Sequence, residues 1–303
     1  MRYERDNFDV SKAPGTVLIT GGAGSLGKRL TDRFATNRWK VRVFDLPEMD
    51  FSGLEERPEV QIIQGDIGDK SALIEAVTGV TAVVHLAALL PPRSEAARVL
   101  TMTVNVAGTE SIIQAMEREA ASSVLVFASS VSTYGDTSAE APPVVTGHPQ
   151  RAIDVYAESK IQAEALIAGS RLNSVILRIA PIAVPAFLEP PEVWPFTVEQ
   201  RVEMVHRDDV VDALFAAAGE KAGSDKPLNI AGGVTWQLVG KRYVEDFYTF
   251  VGAPATDATY RSSPGWVDWY DTSESQRLLG YQNRSYEFFA EEMRALIEEL
   301  MAS

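Results

Sequence analysis

The stretch TVLITGGAGSLGKRL, Thr16–Leu30, decides how this chain is read. An apolar, β-branched run is followed by a glycine-rich turn and then by the start of a helical pattern. Gly21, Gly24 and Gly27 are spaced G-x-x-G-x-x-G. The first glycine permits a tight turn, the second lets the backbone approach a pyrophosphate, and the third allows close strand–helix packing. The N–H groups around Ser25 and Leu26 then open a helix toward phosphate anions. Asp45 ends the next apolar run, eighteen residues beyond Gly27 and close to the ~20 expected of an acid that accepts the ribose hydroxyls. A carboxylate there repels a 2′-phosphate, so the expected cofactor is NAD rather than NADP. Arg42 and Lys40 lie on the same run and leave NADP as the minor alternative.

Outward from this stretch, short β-branched runs alternate with helical patterns as far as Ala180, the signature of a parallel sheet built from βαβ units. The pattern predicts strands at Thr16–Thr20, Lys40–Asp45, Val60–Gln64, Ala82–Leu86, Ser123–Ala128 and Ser174–Arg178. It predicts helices near Leu26–Asn37, Lys70–Val77, Glu95–Arg118 and Val155–Ser170. Near-continuous apolar runs such as VLVFA suit strands covered on both faces. The prolines at 181, 185, 190, 191 and 195 then forbid long regular elements. A strand-like PLNIAGG and helices near Val239–Val251 and Ser285–Met301 close the chain. The expected architecture is an α/β, Rossmann-type doubly wound parallel sheet with a smaller C-terminal substrate-binding lobe over its carboxyl edge. Residues 1–13 form a polar tail, 14–180 the dinucleotide domain with a later contribution from about 205–234, and 181–204 with 235–303 the lobe.

Composition narrows the function classes. The 303 residues are 46% hydrophobic and 23% charged, enough for a full core. No cysteine is present, which removes thiolate metal sites and cysteine nucleophiles and points to the cytoplasm. Three histidines, His85, His148 and His206, make a multi-histidine metal site improbable, and no metal is expected. A net charge of −14 argues against nucleic acid or an anionic membrane as partner. The start lacks the apolar region of a signal peptide, and the longest apolar run, VTAVVHLAALL, is too short to span a bilayer.

DVYAESKIQAEALI, Asp154–Ile167, places Tyr156 four residues before Lys160 on a helix, so both side chains share one face. A free phenol ionises near ~10, and one neighbouring cation lowers that by roughly 1–3 units. An oxidised nicotinamide ring supplies a second cation, and between the two charges Tyr156 becomes a candidate general base.

These pieces together resemble the extended short-chain dehydrogenase/reductase family, also called the NAD-dependent epimerase/dehydratase family. The resemblance runs from Gly15 onward through TGGAGSLG, GDIGD, HLAA, NVAGT, SSVSTYG and YAESK. It implies cofactor contacts from Gly21, Gly24, Ser25, Leu26, Gly27 and Asp45. Asp66 and Ile67 would flank the adenine, and Leu86, Ala87 and Ala88 would pass beneath the cofactor. Asn105, Ala128, Tyr156, Lys160 and Pro181 complete the implied set, with Asn105 supporting the active-site loop and Lys160 also holding the nicotinamide ribose. Ser130 takes the place of the hydroxyl that bonds the reacting oxygen, His85 that of a packed residue. The catalytic set is thus Ser130, Tyr156 and Lys160. The Glu95–Arg118 and Val155–Ser170 helices resemble the pair through which relatives form homodimers.

Departures from the family narrow the substrate. Val131 and Ser132 stand where dehydratases carry Asp-Glu, which argues against sugar dehydration. The strand-end LRIAPIAVP lacks the Asn and Tyr-Gly-Pro of many sugar-nucleotide epimerases, and the segment before VHRDDV is short. The expected activity is therefore oxidation or reduction of a small hydroxy or keto compound. A nucleotide-sugar epimerase is the alternative. A non-catalytic NAD-binding regulator is a third reading, disfavoured by the intact Ser130, Tyr156 and Lys160. Arg201 and Arg207 are candidates to meet a substrate carboxylate or phosphate, and Trp194, Phe196 and Trp236 to form an apolar wall.

Overall fold

The computed structural model describes residues 14–187, 189–219 and 226–302. The predicted tail, residues 1–13, lies outside the described residues. Along the chain come β1 (Thr16–Thr20), α1 (Ser25–Thr36), β2 (Lys40–Asp45), β3 (Val60–Gln64), α2 (Lys70–Val77) and β4 (Ala82–His85). Next are α3 (Arg93–Ala96), α4 (Arg98–Thr101), a π-helical turn (Met102–Ala107), α5 (Gly108–Glu119), β5 (Val124–Ser130), α6 (Val155–Ala168) and β6 (Asn173–Ile179). The remainder holds β7 (Ile182–Ala183), β8 (Arg201–Val202), β9 (Val205–His206), α7 (Arg207–Ala217), β10 (Leu228–Ile230), β11 (Leu238–Val239), α8 (Gly240–Val251), α9 (Ser273–Leu279) and α10 (Tyr286–Ala302).

Seven strands form one sheet in the order β10-β6-β5-β4-β1-β2-β3. β1 pairs in parallel with β2 (Val17 opposite Val41) and with β4 (Val17 opposite Ala82), so the order reverses at β1. Side chains such as Leu18, Val43, Val83 and Leu125 are fully buried, which is why these strands read as unbroken apolar runs rather than alternating ones. The doubly wound parallel sheet expected from the sequence is the observed one.

By internal contacts the chain divides into two compact units. One takes in residues 14–128, 159–176 and 214–219; the other 129–158, 177–213 and 226–302. The first has an aliphatic core around Leu18, Phe44, Leu73, Ile112, Met116 and Ile167. The second is aromatic, with Trp194, Phe196, Trp236, Tyr243, Tyr286 and Phe289 packed together. Short antiparallel β8–β11 and parallel β7–β9 pairs belong to the second unit.

The expected single helix Glu95–Arg118 is broken in two places. Ala97 leaves helical geometry at φ −135°, and residues Met102–Ala107 form a π turn. The extra residue in a π turn rotates the next stretch of helix about its axis and commonly marks a functional position. Here it faces Asn105 inward, where only 2% of its surface is exposed. Among the described residues no helix is long and apolar enough to cross a membrane.

Candidate active site

In the first unit the glycine turn has the geometry its spacing implies. Gly21 adopts φ +69°, and a Cβ there would come within 2.8 Å of the Ala87 nitrogen. A Cβ on Gly27 would lie 2.5 Å from the Gly21 carbonyl oxygen, so that position is closed by packing. Gly24 differs: its nearest contact would be the Gly21 oxygen at 3.3 Å, which leaves an open cradle. Gly24 is also the N-cap of α1, offers no side chain to the first-turn N–H groups, and no acid occupies that turn. Such an end favours an anion. Asp45 is held at the end of β2 by accepting from the Ala23 N–H (3.0 Å) and the Leu46 N–H (2.9 Å). The donor set and the open cradle fit a dinucleotide.

Arg42 is spent elsewhere. Its guanidinium donates to the carbonyls of Ala76 (2.9 Å) and Thr78 (2.6 Å) and to Gln61, closing the C-terminal end of α2. The case for NADP is thereby reduced to Lys40. Asp66 is exposed and folded into a turn by accepting from the Gly68 N–H (2.7 Å), while Ile67 is buried against the core. Leu86, Ala87 and Ala88 keep part of their surface open. Both polar atoms of the Asn105 amide are engaged: it accepts from the Leu89 N–H (2.7 Å) and donates to the Leu89 carbonyl (3.1 Å) and the Ser159 hydroxyl (2.9 Å). It braces the loop after β4 against α6. Lys160, next to Ser159, is buried. Its ammonium donates to the Ala128 carbonyl at 2.7 Å and lies 4.7 Å from the Phe127 ring centroid. Burial lowers its pKa to about 8, against the pull of the Glu164 carboxylate.

In the second unit β5 runs on to Ser130, two residues past the expected end. The Ser130 hydroxyl accepts from the Ser132 N–H (3.1 Å), which leaves its own proton to give. The turn after Ser130 is pinned by Tyr134, whose hydroxyl donates to Asn229 (2.6 Å) and accepts from Arg178 (3.0 Å). Asp154 accepts from the Ala157 N–H (2.7 Å) and so caps the helix that starts beside Tyr156. Tyr156 is partly exposed, yet burial of its phenol pushes the pKa up, and the Asp154 carboxylate adds to the rise. Tyr156 and Lys160 lie one turn apart on α6. The Pro181 carbonyl accepts from the Val205 N–H (3.0 Å).

Three groups suggested by the sequence as substrate contacts are engaged within the protein. Arg201 pairs with Asp268 (Nη2 to Oδ2, 2.9 Å) and donates to the Glu140 carbonyl, and Arg207 pairs with its neighbour Asp208 (3.0 Å). Trp194, Phe196 and Trp236 are buried in the aromatic core rather than lining a wall. A buried carboxylate that sequence reasoning missed, Glu203, accepts from the N–H groups of Gly233 (2.8 Å) and Tyr270 (2.9 Å); burial raises its pKa to about 7. Its partners lie tens of residues away, so no local signal marks it.

The NAD dependent epimerase/dehydratase family model matches residues 17–231. A 3 beta-hydroxysteroid dehydrogenase/Delta 5→4-isomerase of Mycobacterium tuberculosis is 30% identical over 158 residues, covering 50% of this chain and 42% of that protein. The match thus spans less than half the length of that relative. A decarboxylating sterol-4-alpha-carboxylate 3-dehydrogenase of Mus musculus is 25% identical over 287 residues, 86% of this chain and 75% of that one. The solved structure of a dTDP-glucose 4,6-dehydratase from Bacillus anthracis in complex with NAD superposes with a TM-score of 0.79 at 17% identity, over 94% of this chain and 96% of that one, a likeness of fold. With the glycine turn, the anchored Asp45 and the Tyr–Lys helix in place, these matches settle the lineage: the chain belongs to the NAD-dependent epimerase/dehydratase family, the extended short-chain dehydrogenase/reductase enzymes that work with NAD.

Proposed function

We propose that the protein is an NAD-dependent dehydrogenase that interconverts a secondary alcohol and its ketone on a small polar, sugar-like or hydroxy-acid-like substrate, with Tyr156 as general acid/base. The observation that carries this reading is the Tyr156–Lys160 turn of α6 with the ammonium pinned to the Ala128 carbonyl. Gly21, Gly24, Ser25, Leu26 and Gly27 would hold the pyrophosphate and Asp45 the ribose hydroxyls. When bound, NAD supplies the hydride acceptor and, in its oxidised form, a positive ring.

Tyr156 takes the proton of the substrate hydroxyl and returns it in the reverse direction. Burial alone makes a phenol a poor base, so the base needs cations beside it. Lys160, with a pKa of about 8, is charged at neutral pH and supplies a cation one turn along the same helix. The Ser130 hydroxyl donates its remaining proton to the reacting oxygen, where charge develops. Residues 181–204 and 235–303 choose the substrate. Val99 and Leu100, exposed on α4, support a homodimer formed through this region and α6. The cysteine-free composition fits the cytoplasm.

The names of the two relatives, both dehydrogenases, favour net oxidation or reduction over epimerisation and give a second reading of the substrate as a sterol-like alcohol. A panel of hydroxy acids, sugars, nucleotide sugars and hydroxysteroids is incubated with NAD and followed by NADH absorbance. NADH accumulation with at least one alcohol is expected, and Tyr156→Phe should cut that rate by about 10²–10⁴ while NAD still binds. Isomerisation of a nucleotide sugar without NADH build-up would make the protein an epimerase. Turnover indifferent to Tyr156→Phe would remove Tyr156 from the mechanism.

A further inference from the structure

His85 ends β4 with its side chain fully enclosed, and the chemistry proposed above does not use it. Its Nδ1 lies 2.7 Å from the Thr20 hydroxyl at the end of β1, and its Nε2 lies 3.1 Å from the Thr109 hydroxyl on α5. Thr109 has one proton, and that proton goes to the Asn105 carbonyl at 2.6 Å. The Thr109 oxygen can therefore only accept from His85, so Nε2 carries the hydrogen. Nδ1 is then a lone pair, Thr20 must donate to it, and the Thr20 oxygen is left to accept from the Ala87 N–H at 3.4 Å. Every direction in the series is fixed by the one before it.

We infer that His85 is a positioning residue: locked as its Nε2–H tautomer, it carries a one-way hydrogen-bond chain from the Ala87 N–H to the Asn105 carbonyl that sets the NAD-facing loop after β4 and the Asn105 turn in one register. The Asn105 amide continues the connection to Leu89 and to Ser159, beside Lys160. A protonated imidazole would reverse one link, since it would donate at both nitrogens. Burial, reinforced by the Lys160 charge, holds the His85 pKa down to about 3 and keeps the ring neutral. A packing histidine would need only its shape; this one is required for one acceptor and one donor in fixed places. The functional part of the inference rests on the reading of the glycine turn and Ala87 as the NAD site.

Two measurements on the full chain test it. In protein labelled with ¹⁵N-histidine, the His85 signal is the one lost in His85→Gln, and it should show a neutral Nε2–H ring throughout neutral pH. A protonated ring, the Nδ1–H form or an averaged mixture overturns the chain whether or not NAD binds. Calorimetric titration with NAD is then run on Thr20→Val, Thr109→Val and the double variant, which keep side-chain shape and remove one link each. Each single change should weaken NAD by about threefold to tenfold, the worth of one net hydrogen bond, and the double variant should be no weaker than the worse single one. Multiplied effects, or wild-type affinity in Thr109→Val, overturn the inference. Failure of the wild-type protein to bind NAD would instead defeat the proposed function, and leave the tautomer to decide the chain. If a valine variant does not fold, the tautomer alone decides.

Discussion

The two compact units bury polar groups in different ways. In the first, the enclosed polar groups are mostly hydroxyls, with an amide and a neutral ring, as at Thr20, Thr109, Asn105 and His85, and among the described residues its buried charges, Lys160 and Glu164, sit on one helix. In the second, charges are enclosed throughout: Arg178, Glu203, Arg207, Asp209 and Asp268. There they answer one another and the backbone. Arg284 pairs with Asp209 (2.6 Å) and Asp212 (3.1 Å), and Arg201 with Asp268. A unit built around a parallel sheet satisfies its backbone internally, and the Lys160 ammonium buried in it is held by the Ala128 carbonyl. A unit built from short strands and long loops has many backbone N–H and C=O groups to satisfy, and charged side chains do that work.

That contrast makes the first unit sensitive to volume and the second to protonation. The largest effect is expected at the glycine turn. Gly27→Ala puts a methyl 2.5 Å from the Gly21 oxygen and 2.6 Å from the Gly22 Cα, both backbone atoms that cannot step aside. Its cost should exceed the ~1–3 kcal/mol typical of an overpacked core, seen as a lower midpoint in urea or as failure to fold. Gly24→Ala, whose methyl meets only one atom at 3.3 Å, should fold like the parent and lose NAD affinity instead. If both variants lose stability equally, the glycine turn is a packing device at all three positions.

The second unit is tested by pH. Glu203 is raised from an ordinary 4.5 to about 7 by burial, while the N–H groups of Tyr270 and Gly233 and the Gln237 amide pull it back and the Asp268 charge adds to the rise. A carboxyl whose folded pKa lies above its unfolded one stabilises fully below pH 4.5 and loses that contribution as pH climbs through 7. The span from 4.5 to about 7 corresponds to something on the order of 3 kcal/mol. Glu203→Gln cannot ionise, so its stability relative to the parent should improve by that order across the window and run parallel outside it. Denaturant midpoints at a series of pH values measure this directly. A constant difference would mean that the Glu203 pKa is the same in the folded and unfolded protein.

The same contrast explains what could be read from sequence. β1, β2 and β3 begin and end where their β-branched runs do, and Asp45 falls where the ribose acid was expected, because each signal is local to a strand and its turn. The break at Ala97 and the π turn were hidden inside Glu95–Arg118, since a continuous apolar pattern carries no mark of one extra residue in a turn. Helix α7 was not expected; its first turn, Arg207–Asp209, is charged, and Asp209 finds its partner Arg284 only seventy-five residues away. At the site, the Tyr156–Lys160 spacing was legible. The Ala128 carbonyl that fixes the ammonium, 32 residues distant, carried no mark of that role, Ala128 being expected only as a cofactor contact. The partner of Arg201 was hidden for the same reason: Asp268 lies 67 residues on.

The smallest expected effect returns to the first unit and separates two charged residues of β2, Arg42 and Asp45. Asp45 is held by two backbone N–H groups with its oxygens at the end of the strand, whereas the Arg42 guanidinium is spent on carbonyls at the end of α2. A cation at a helix C-terminus is worth about 0.3–1 kcal/mol at an exposed site. Arg42→Gln should lower stability by about that much and leave the ratio of NAD to NADP affinity where it was, because the arginine is engaged by protein and not by the ribose. Asp45→Ser should do the reverse: stability nearly unchanged, and the ratio moved toward NADP by about tenfold as a repelling carboxylate is removed, an effect of about 1.4 kcal/mol. Paired titrations of the two variants with both dinucleotides, beside their urea midpoints, put the four numbers side by side. Should Arg42→Gln move the ratio as far as Asp45→Ser does, the guanidinium reaches the ribose in solution, and cofactor choice belongs to the strand as a whole rather than to its terminal acid.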